Sequence, residues 1–440
     1  MTTITTKPNR IRQRAIVIVM VLWIIVLLAI LAVGLSQLTR IDNVIRKSHT
    51  DSISAHWHAK SAIAYAFSIL AQDTNPTDSY NDNWHDKDQD FKNVKIGDGS
   101  FTLWSDLPNS SDTIIFGLTD ESAKININVV TAQQLSLLPD MSEIEAQAII
   151  TWRDSLIPVS TDDNEKKPEN LQPISTIRQL QWVPQLDNEL LFGEDTNLNG
   201  LLDSNENDGD QTKPDDNKDS ILQRGLLAYL TVHSYDLNQD SKGNQRININ
   251  TADADILIDA LQIDAMVADW IMQNRPYESI IDLLIKKEVT PEIPPAAAPS
   301  SSDPAPDPIP GAKPQRITRE QFIEIADKIT ITDSETIPGL ININTAPLAV
   351  LLTLPEITPA IADAIITARQ NPEFSFTSIA DLLEIDNVTP EKLAPLANLI
   401  TTRSNIFKVH AQGSAKDKAT LSYIEAIIDR QKNQTLYLNW

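Results

Sequence analysis

The feature that most constrains this chain is an uncharged apolar segment near the N-terminus, at 15–38. It follows three basic residues, Arg10, Arg12 and Arg14. At ~1.5 Å per residue, a helix of this length spans a hydrocarbon core of ~30 Å. The basic flank is expected to stay in the cytoplasm, which puts the chain from Thr39 onward on the other side of the membrane. The pattern predicts a basic leader at 1–14 and a single transmembrane helix, with a cleaved secretory signal as the alternative.

Composition limits the classes of function. The chain has 440 residues, which indicates several domains, and a formal net charge of -24, which disfavours nucleic acid as a partner and favours divalent cations. The sequence has no Cys, so disulfides and thiolate metal sites are excluded. It also contains no nucleophile–base pair, Gly-rich phosphate loop or zinc signature. We therefore expect a protein that is not an enzyme.

One pattern occurs three times, at 124–154, 246–275 and 340–370. Each copy opens with a short strand-like stretch close to "ININ", continues as an apolar-periodic helix, breaks, and resumes as a second helix. The breaks fall at Pro139, Gln262 and Pro355. The pattern predicts three helix-hairpin-helix units of the SAM-like kind, in which an Asn-Thr or similar pair caps the first helix. These copies are named the first, second and third repeats.

The hairpins of such units often bind DNA, because backbone N–H groups in a Gly-rich hairpin can approach a phosphate closely. In this chain Asp140, Ser142, Glu356 and Thr358 stand where Gly is usual, and the second repeat reads "QIDA". An acidic side chain at that position repels phosphate. The sequence therefore favours a packing role for the repeats over DNA binding.

Alternating strand-like stretches lie on both sides of the repeats. "DGSFTLWSD" and "DTIIFGLTDE" precede them, and "SNIFKVHAQGSA", "ATLSYIEAIIDRQ" and "QTLYLNW" follow. This order predicts an α+β fold with a small antiparallel sheet domain built from 39–120 and 401–440. A large, mostly helical domain, 121–400, is predicted to be inserted into it. The Pro/Ala/Ser-rich tract 289–315 is predicted to be an extended, disordered loop.

The stretch "EDTNLNGLLDSNE" has the spacing of an EF-hand calcium loop. In the loop 195–206, oxygen-bearing side chains occupy positions 1, 3, 5, 9 and 12, namely Asp195, Asn197, Asn199, Asp203 and Glu206. Gly200 at position 6 suits the tight turn, and Leu201 at position 7 offers its backbone carbonyl. A solvated acidic loop is the alternative, but it does not account for the whole spacing.

The acidic segment 194–223 contains a second candidate, the loop 215–226. Its ligands are predicted to be Asp215, Asn217, Asp219 and the Ile221 carbonyl, with Ser220 replacing the turn glycine and Leu226 standing where the bidentate Glu is usual. A third stretch, Asp236, Asn238 and Asp240 before Gly243, reads more easily as a hairpin turn.

The arrangement of the chain resembles the K-subunit family of minor pseudopilins of type II secretion systems, within the type IV pilin-like superfamily. The most specific stretches are "DESAKININ" at 120–128, "LLAYLTVHSYDLNQDSKGNQRININTA" at 226–252, "SIADLLEI" at 378–385 and "SYIEAIIDR" near the end. The resemblance implies prepilin peptidase cleavage between Ala15 and Ile16, and Met20 stands at the fifth mature position, where most pilin-like subunits carry Glu.

The resemblance also implies a location and partners. It implies a single-pass protein of the bacterial inner membrane, with the C-terminal domain in the periplasm at the tip of a short pseudopilus. The implied partners are the I and J minor pseudopilins, the pseudopilus, the inner-membrane secretion platform and the membrane itself, but not nucleic acid. Calcium is expected as a structural cofactor. The alternatives are a membrane-tethered DNA-uptake protein that uses its hairpins and a calcium-dependent surface protein.

Overall fold

A computed structural model of the chain describes residues 10–107, 114–157, 173–209, 211–286, 315–371 and 374–439, with side chains from residue 17 onward. The helices are α1 Arg10–Gln72, α2 Asp88–Phe91, α3 Ala132–Leu135, α4 Glu143–Ser155, α5 Asn188–Phe192, α6 Ala254–Leu261, α7 Ala265–Gln273, α8 Asp282–Ile285, α9 Arg319–Ile325, α10 Leu348–Leu351, α11 Pro359–Arg369 and α12 Pro390–Leu393. The strands are β1 Val94–Ile96, β2 Gly99–Trp104, β3 Thr119–Asp120, β4 Ile125–Asn126, β5 Leu230–Thr231, β6 Tyr235–Leu237, β7 Ile247–Asn248, β8 Ile329–Thr330, β9 Thr336–Pro338, β10 Ile341–Asn342, β11 Ile400–Thr401, β12 Ile406–Ser414, β13 Leu421–Asp429 and β14 Gln434–Asn439.

Helix α1 has two parts with different surroundings. Its apolar N-terminal part is exposed and, within the described residues, is the stretch long and apolar enough to cross a membrane. Its C-terminal part packs on the sheet through a stripe of fully buried alanines, Ala55, Ala59, Ala62 and Ala66. The backbones approach so closely that a Cβ on Gly413 of β12 would lie 2.0 Å from the Ala55 carbonyl oxygen. Ala15 and Ile16 lie inside α1, but their side chains are outside the described part, so the cleavage site stays a prediction.

The sheet under α1 is antiparallel, in the order β1-β2-β12-β13-β14, with β3 paired to β12. Trp104 of β2 lies opposite His410 of β12, so the chain leaves this sheet and returns to it after the repeats. One predicted strand is wrong. In the described part of "DTIIFGLTDE", 114–121, only β3 is a strand, because Leu118 donates its backbone N–H to Trp84 in a loop. Mixed helices and an antiparallel sheet agree with the predicted α+β class.

Each repeat is closed by a short parallel strand pair, β4 with β5, β7 with β8, and β10 with β11. The second Asn of each "ININ" stretch bonds through its side-chain amide to one backbone N–H and one C=O further along the chain. The pairs are Asn128 with Ile174, Asn250 with Tyr277, and Asn344 with Phe376, all at 2.8–3.0 Å. Because a primary amide offers the same donor and acceptor as a peptide, each Asn replaces a missing strand partner.

The predicted capping of the first helix by an Asn-Thr or similar pair is correct for one repeat. Thr131 caps α3 with a reciprocal bond from Gln134. In the second and third repeats the N-cap residues are Asp253 and Pro347, and neither side chain makes a capping bond. The prediction is wrong there because the Asn-Thr pairs lie before these N-caps, and the Thr251 and Thr345 hydroxyls donate to Asp333 and Asp120 instead.

The three hairpins place non-glycine residues in the left-handed region. Asp140, Gln262 and Glu356 have φ of 57°, 56° and 62°. This conformation costs ~1–2 kcal/mol for a residue with a Cβ. Ser142 and Thr358 then cap the second helices of the first and third repeats. In these two hairpins a hydroxyl of the chain itself therefore occupies a helix N-terminus that could otherwise receive a phosphate.

Candidate metal centre

The acidic segment is closed at its base by backbone hydrogen bonds. Gly193 and Arg224 form an antiparallel bridge, and Glu194 donates its N–H to the Gln223 carbonyl at 2.8 Å. The Glu194 carboxylate accepts the N–H of Gln223 in return, at 2.9 Å. Both candidate loops, 195–206 and 215–226, start within this closed segment.

The first loop, 195–206, folds through turns made by its own side chains. Asn197 accepts the N–H of Asn199 at 2.9 Å, and Asn199 accepts the N–H of Leu201 at 2.6 Å. Leu198 and Gly200, at positions 4 and 6, have φ of 60° and 71°. Each Asn oxygen that accepts an N–H keeps a second lone pair, which is free to bind a cation.

Asp195 opens the first loop and is 4% exposed. Its Oδ1 accepts the N–H of Asn199 at 3.0 Å and its Oδ2 accepts that of Gly200 at 2.8 Å. Burial raises the pKa of Asp195, and the Gly200 N–H and the positive charge of Arg224 oppose the rise only in part. The position thus holds a carboxylate whose ionised form lacks compensating charge.

Glu206, at position 12, is 1% exposed. Its Oε2 accepts the Asp203 N–H at 3.0 Å, while its Oε1 is buried with no hydrogen-bond partner. Burial raises the pKa of Glu206 to about 7, the Asp203 and Thr196 N–H groups oppose this rise, and the charges of Asp195 and Asp203 add to it. A buried, unpartnered carboxylate oxygen among like charges costs free energy unless a cation compensates it.

Asp203, at position 9, connects the later part of the first loop to positions 3 and 5. Its Oδ2 accepts the side-chain amide N–H groups of Asn197 and Asn199, each at 2.9 Å. The five oxygen-bearing side chains predicted for positions 1, 3, 5, 9 and 12 are therefore connected by hydrogen bonds, either directly or through backbone N–H groups of the loop. Hard oxygen ligands with excess negative charge and an orphaned carboxylate oxygen fit calcium.

The second loop, 215–226, repeats the backbone of the first. Lys218 and Ser220 have φ of 56° and 67°, at the positions that correspond to Leu198 and Gly200. Asn217 and Asp219 likewise accept the N–H groups two residues ahead, at 2.9 and 2.8 Å. Ser220, which the spacing put in place of the turn glycine, does adopt the turn conformation.

The side chains of the second loop are arranged differently. Asp215 is exposed, and its carboxylate pairs with Lys213. Asp216, which the sequence did not suggest, accepts the N–H groups of Gly209 at 3.0 Å and Lys218 at 2.7 Å. Leu226 is buried and begins a 3₁₀ helix, so position 12 supplies no carboxylate. These side chains suit a cation less well than those of the first loop.

The third stretch is a hairpin turn. Gln239 and Gln245 form an antiparallel bridge, and Asp240 donates its N–H to the Asn244 carbonyl at 2.8 Å. Asp236 accepts the Thr401 hydroxyl at 2.7 Å. The Asp236 carboxylate thus bonds to β11, the strand that pairs with β10 of the third repeat.

A separate group of carboxylates, Asp73, Asp78 and Asp82, has ligand atoms within 4.8 Å of one another. Arg430 binds both oxygens of Asp78, at 2.8 Å each, and lies 3.5 Å from Asp73. Arg430 compensates these charges in part, since burial still raises the pKa of Asp78 to about 7 and also raises that of Asp82. The group is thus a partly compensated buried ion pair that joins the sheet to the loop after α1.

Side chains outside the first loop hold three of its carbonyl groups. Arg178 donates to the Asn197 carbonyl at 2.8 Å, Trp104 Nε1 to the Asn199 carbonyl at 2.8 Å, and Arg224 to the Gly200 carbonyl at 2.9 Å. Sequence spacing missed all three donors, because Trp104 lies on β2 and is brought to the loop by packing alone. The sequence offered one signal at this place, Gly200, and that glycine indicated a turn and not the three donors.

Comparisons with known proteins agree with parts of this description. Residues 339–401 match the family model described as "Helix-hairpin-helix motif", which covers the third repeat. The sequence comparison with curated proteins returns no match. Among solved structures, the chain is similar to the GspK-GspI-GspJ complex of the type 2 secretion system of enterotoxigenic Escherichia coli, at 12% identity and a TM-score of 0.32, over 91% of this chain and 98% of that one. That superposition is loose, so the description of the fold rests on the helices and strands of this chain.

Proposed function

We propose that this chain is a non-enzymatic minor pseudopilin of the general secretion pathway protein K type, anchored in the bacterial inner membrane. It acts at the tip of the type II secretion pseudopilus, with the I and J subunits, in protein export across the outer membrane. Calcium in the first loop is structural and stabilises the domain outside the membrane.

The two-part helix α1 carries the proposal. Its N-terminal part is exposed and apolar, as a segment held in lipid before assembly must be, and its C-terminal part is buried on the sheet through the alanine stripe. One continuous helix can thus hold a folded domain at the membrane and later pack beside other subunits. The sequence stretches that resemble the K-subunit family support the same assignment.

The role of calcium follows from charge. The first loop brings Asp195, Asp203 and Glu206 together with little compensating positive charge, and Glu206 Oε1 is buried without a partner. A bound ion would neutralise this repulsion and, because it binds the folded state, would stabilise that state by mass action. A periplasmic protein meets enough calcium to fill even a weak site.

The match to the helix-hairpin-helix family favours one alternative, a membrane-tethered protein that handles DNA. Against it stand the acidic Asp140 and Glu356 in the hairpins and the hydroxyl caps Ser142 and Thr358 on the helices that follow. We expect no measurable binding of duplex DNA at physiological salt. A salt-dependent gel shift at micromolar protein would favour the alternative.

Gene deletion with complementation tests the proposal in a host that both secretes enzymes and takes up DNA. Deletion is expected to trap secreted enzymes in the periplasm and leave DNA uptake intact, and the wild-type gene should restore secretion. Loss of DNA uptake with normal secretion would instead identify a DNA-handling protein. Loss of neither, with calcium-dependent adhesion affected, would support a surface protein.

Two biochemical measurements complement the deletion. The full-length chain in detergent is expected to co-purify with the I and J minor pseudopilins of the same host. Mass spectrometry after co-expression with a prepilin peptidase is expected to give a mature N-terminus at Ile16. An intact chain, or a cut beyond the apolar segment, contradicts the pilin-like assignment of the N-terminus.

A further inference from the structure

We propose that Trp104, Arg178 and Arg224, which all lie outside the first loop, are positioning residues that hold it in a calcium-ready shape and fasten it to the sheet. This inference rests on the proposed calcium site. It adds that the affinity of the site is set partly by the sheet domain and not by the ligand spacing alone.

Trp104 makes the most direct connection. It sits on β2, is 4% exposed, and donates its indole N–H to the Asn199 carbonyl at 2.8 Å. The indole is itself held, because it stacks on His410 of β12 with ring centroids 5.6 Å apart. The backbone of loop position 5 is therefore fixed by a rigid aromatic side chain of the central sheet.

Arg224 makes a second connection, through its planar guanidinium. One nitrogen donates to the Gly200 carbonyl at 2.9 Å, and another donates to the Asp106 carbonyl just beyond β2. Arg224 is also part of the backbone bridge that closes the acidic segment. Arg178 holds the Asn197 carbonyl in the same way from the side of the first repeat.

The loop and the sheet are also in close backbone contact. A Cβ on Gly200 would lie 2.7 Å from the Asp106 Cα, closer than real contacts allow. Asp106 cannot move aside easily, because Lys408 binds its carboxylate at 2.7 Å and the Thr119 hydroxyl donates to it at 2.8 Å. Gly200 is thus required by the turn and by this contact together.

The second loop provides an internal comparison. Its turn residue, Ser220, donates its backbone N–H to the side-chain oxygen of Asn207 at 3.1 Å. Asn207 belongs to the same acidic segment. The same turns therefore occur once against the sheet and once on the surface. Because a site that is fixed before binding loses less conformational freedom on binding, the anchored loop should bind calcium more tightly than its spacing alone would give.

Calcium titration calorimetry on the full-length protein in detergent tests the inference. Trp104→Phe keeps an aromatic ring but removes the N–H donor, and Arg224→Lys keeps the positive charge but removes the guanidinium fork. Each is expected to weaken calcium binding to the first loop about three- to tenfold, the factor expected for one hydrogen bond, with the stoichiometry unchanged. Trp57→Phe, on the exposed face of α1, is the matched control and should bind calcium as the wild type does.

A second readout separates positioning from a general effect on folding. With ¹⁵N-labelled tryptophan, the indole N–H resonance that disappears in Trp104→Phe is expected to shift on addition of calcium, and that of Trp57 is not. Unchanged affinity in both Trp104→Phe and Arg224→Lys, with a Trp104 resonance that does not shift on addition of calcium, overturns the positioning role and leaves the calcium site intact. If the wild-type protein takes up no calcium at millimolar concentration, the proposed site itself fails, and this inference fails with it.

Discussion

The first and second loops of the acidic segment share a backbone and differ in their surroundings. In both, the residues at positions 4 and 6 have positive φ, and the side chains at positions 3 and 5 accept N–H groups two residues ahead. The first loop has buried residues at Asp195, Leu198, Gly200 and Glu206, whereas the second is exposed at 217–221 and ends in Leu226. Short-range spacing is thus enough to make the turn but not enough to bury its carboxylates.

The difference lies in charge and anchoring. The first loop concentrates buried carboxylates and is held by donors from three other parts of the chain. In the second loop Asp215 pairs with Lys213 in solvent, and Asp216 accepts the N–H groups of Gly209 and Lys218. The carboxylates of the first loop lack compensating positive charge, so calcium should stabilise the first loop more than the second.

The largest effect is expected when the support under the first loop is broken by Asp106→Asn. Burial opposes ionisation of Asp106, but Lys124, Lys408 and His410 hold its pKa well below its usual range. Removing one partner of such a buried ion network costs about 3–5 kcal/mol of the free energy of unfolding. Urea unfolding of the full-length protein at neutral pH measures this loss, and Asp363→Asn, at an exposed position of α11, is the control with a much smaller change.

The same variant has a defined dependence on pH. A carboxylate with a lowered pKa in the folded state contributes stability above its unfolded pKa of about 3.9, and loses it as pH falls through the folded value. The difference between wild type and Asp106→Asn should therefore be level from pH 5 to 8 and shrink below about pH 4. A difference that grows on acidification would contradict the assignment of Asp106 as the ionised hub.

The next effect separates the two loops by their first ligands. In wild type, calcium at 100 times its Kd adds ~2.7 kcal/mol to the free energy of unfolding. Asp195→Ala should abolish most of this gain and reduce the bound calcium by one ion, while Asp215→Ala should leave most of the gain in place. Thermal unfolding and calorimetry on chelator-treated protein measure both quantities. Equal losses in the two variants would mean that the loops bind as one site.

A smaller effect is expected from exchanging the residues at position 6. Gly200→Ala puts a Cβ at positive φ and against Asp106, and should cost ~1–3 kcal/mol of the free energy of unfolding even without calcium. Ser220→Gly relieves the same backbone strain on the surface and should gain at most ~1 kcal/mol. Chemical denaturation without calcium compares them. A neutral Gly200→Ala would show that the loop is not held against the sheet.

The smallest effect is the response to magnesium. Magnesium prefers a tight octahedron and keeps several of its waters, so it should raise the melting temperature by less than half as much as calcium at equal concentration. Because the ligands of the second loop are exposed and can keep water between themselves and an ion, the two ions should differ less in Asp195→Ala than in wild type. An equal response of the wild type to both ions argues for screening of charge and not for coordination.

Much of the architecture was predictable from local patterns. The uncharged segment before Thr39 predicted the anchor helix, and the "ININ" copies predicted the repeats that begin with β4, β7 and β10. The turns at positions 3 to 6 of both loops follow from Asn and Asp side chains bonding two residues ahead, which needs no partner from elsewhere. The predictions that were wrong, such as capping in the second and third repeats, concern residues whose side chains bond to a distant segment of the chain.

The sequence by itself determined where the chain can cross a membrane, which stretches repeat and where the acidic loops turn, because each depends on neighbours within a few positions. Tertiary structure alone decided which loop became a buried, charge-deficient site. Trp104 reaches Asn199 across the sheet, and Asp106 lies under Gly200, because β2 and β12 pair around the whole inserted part of the chain. Burial and long-range contact set the electrostatics of a carboxylate, and neither can be read from spacing.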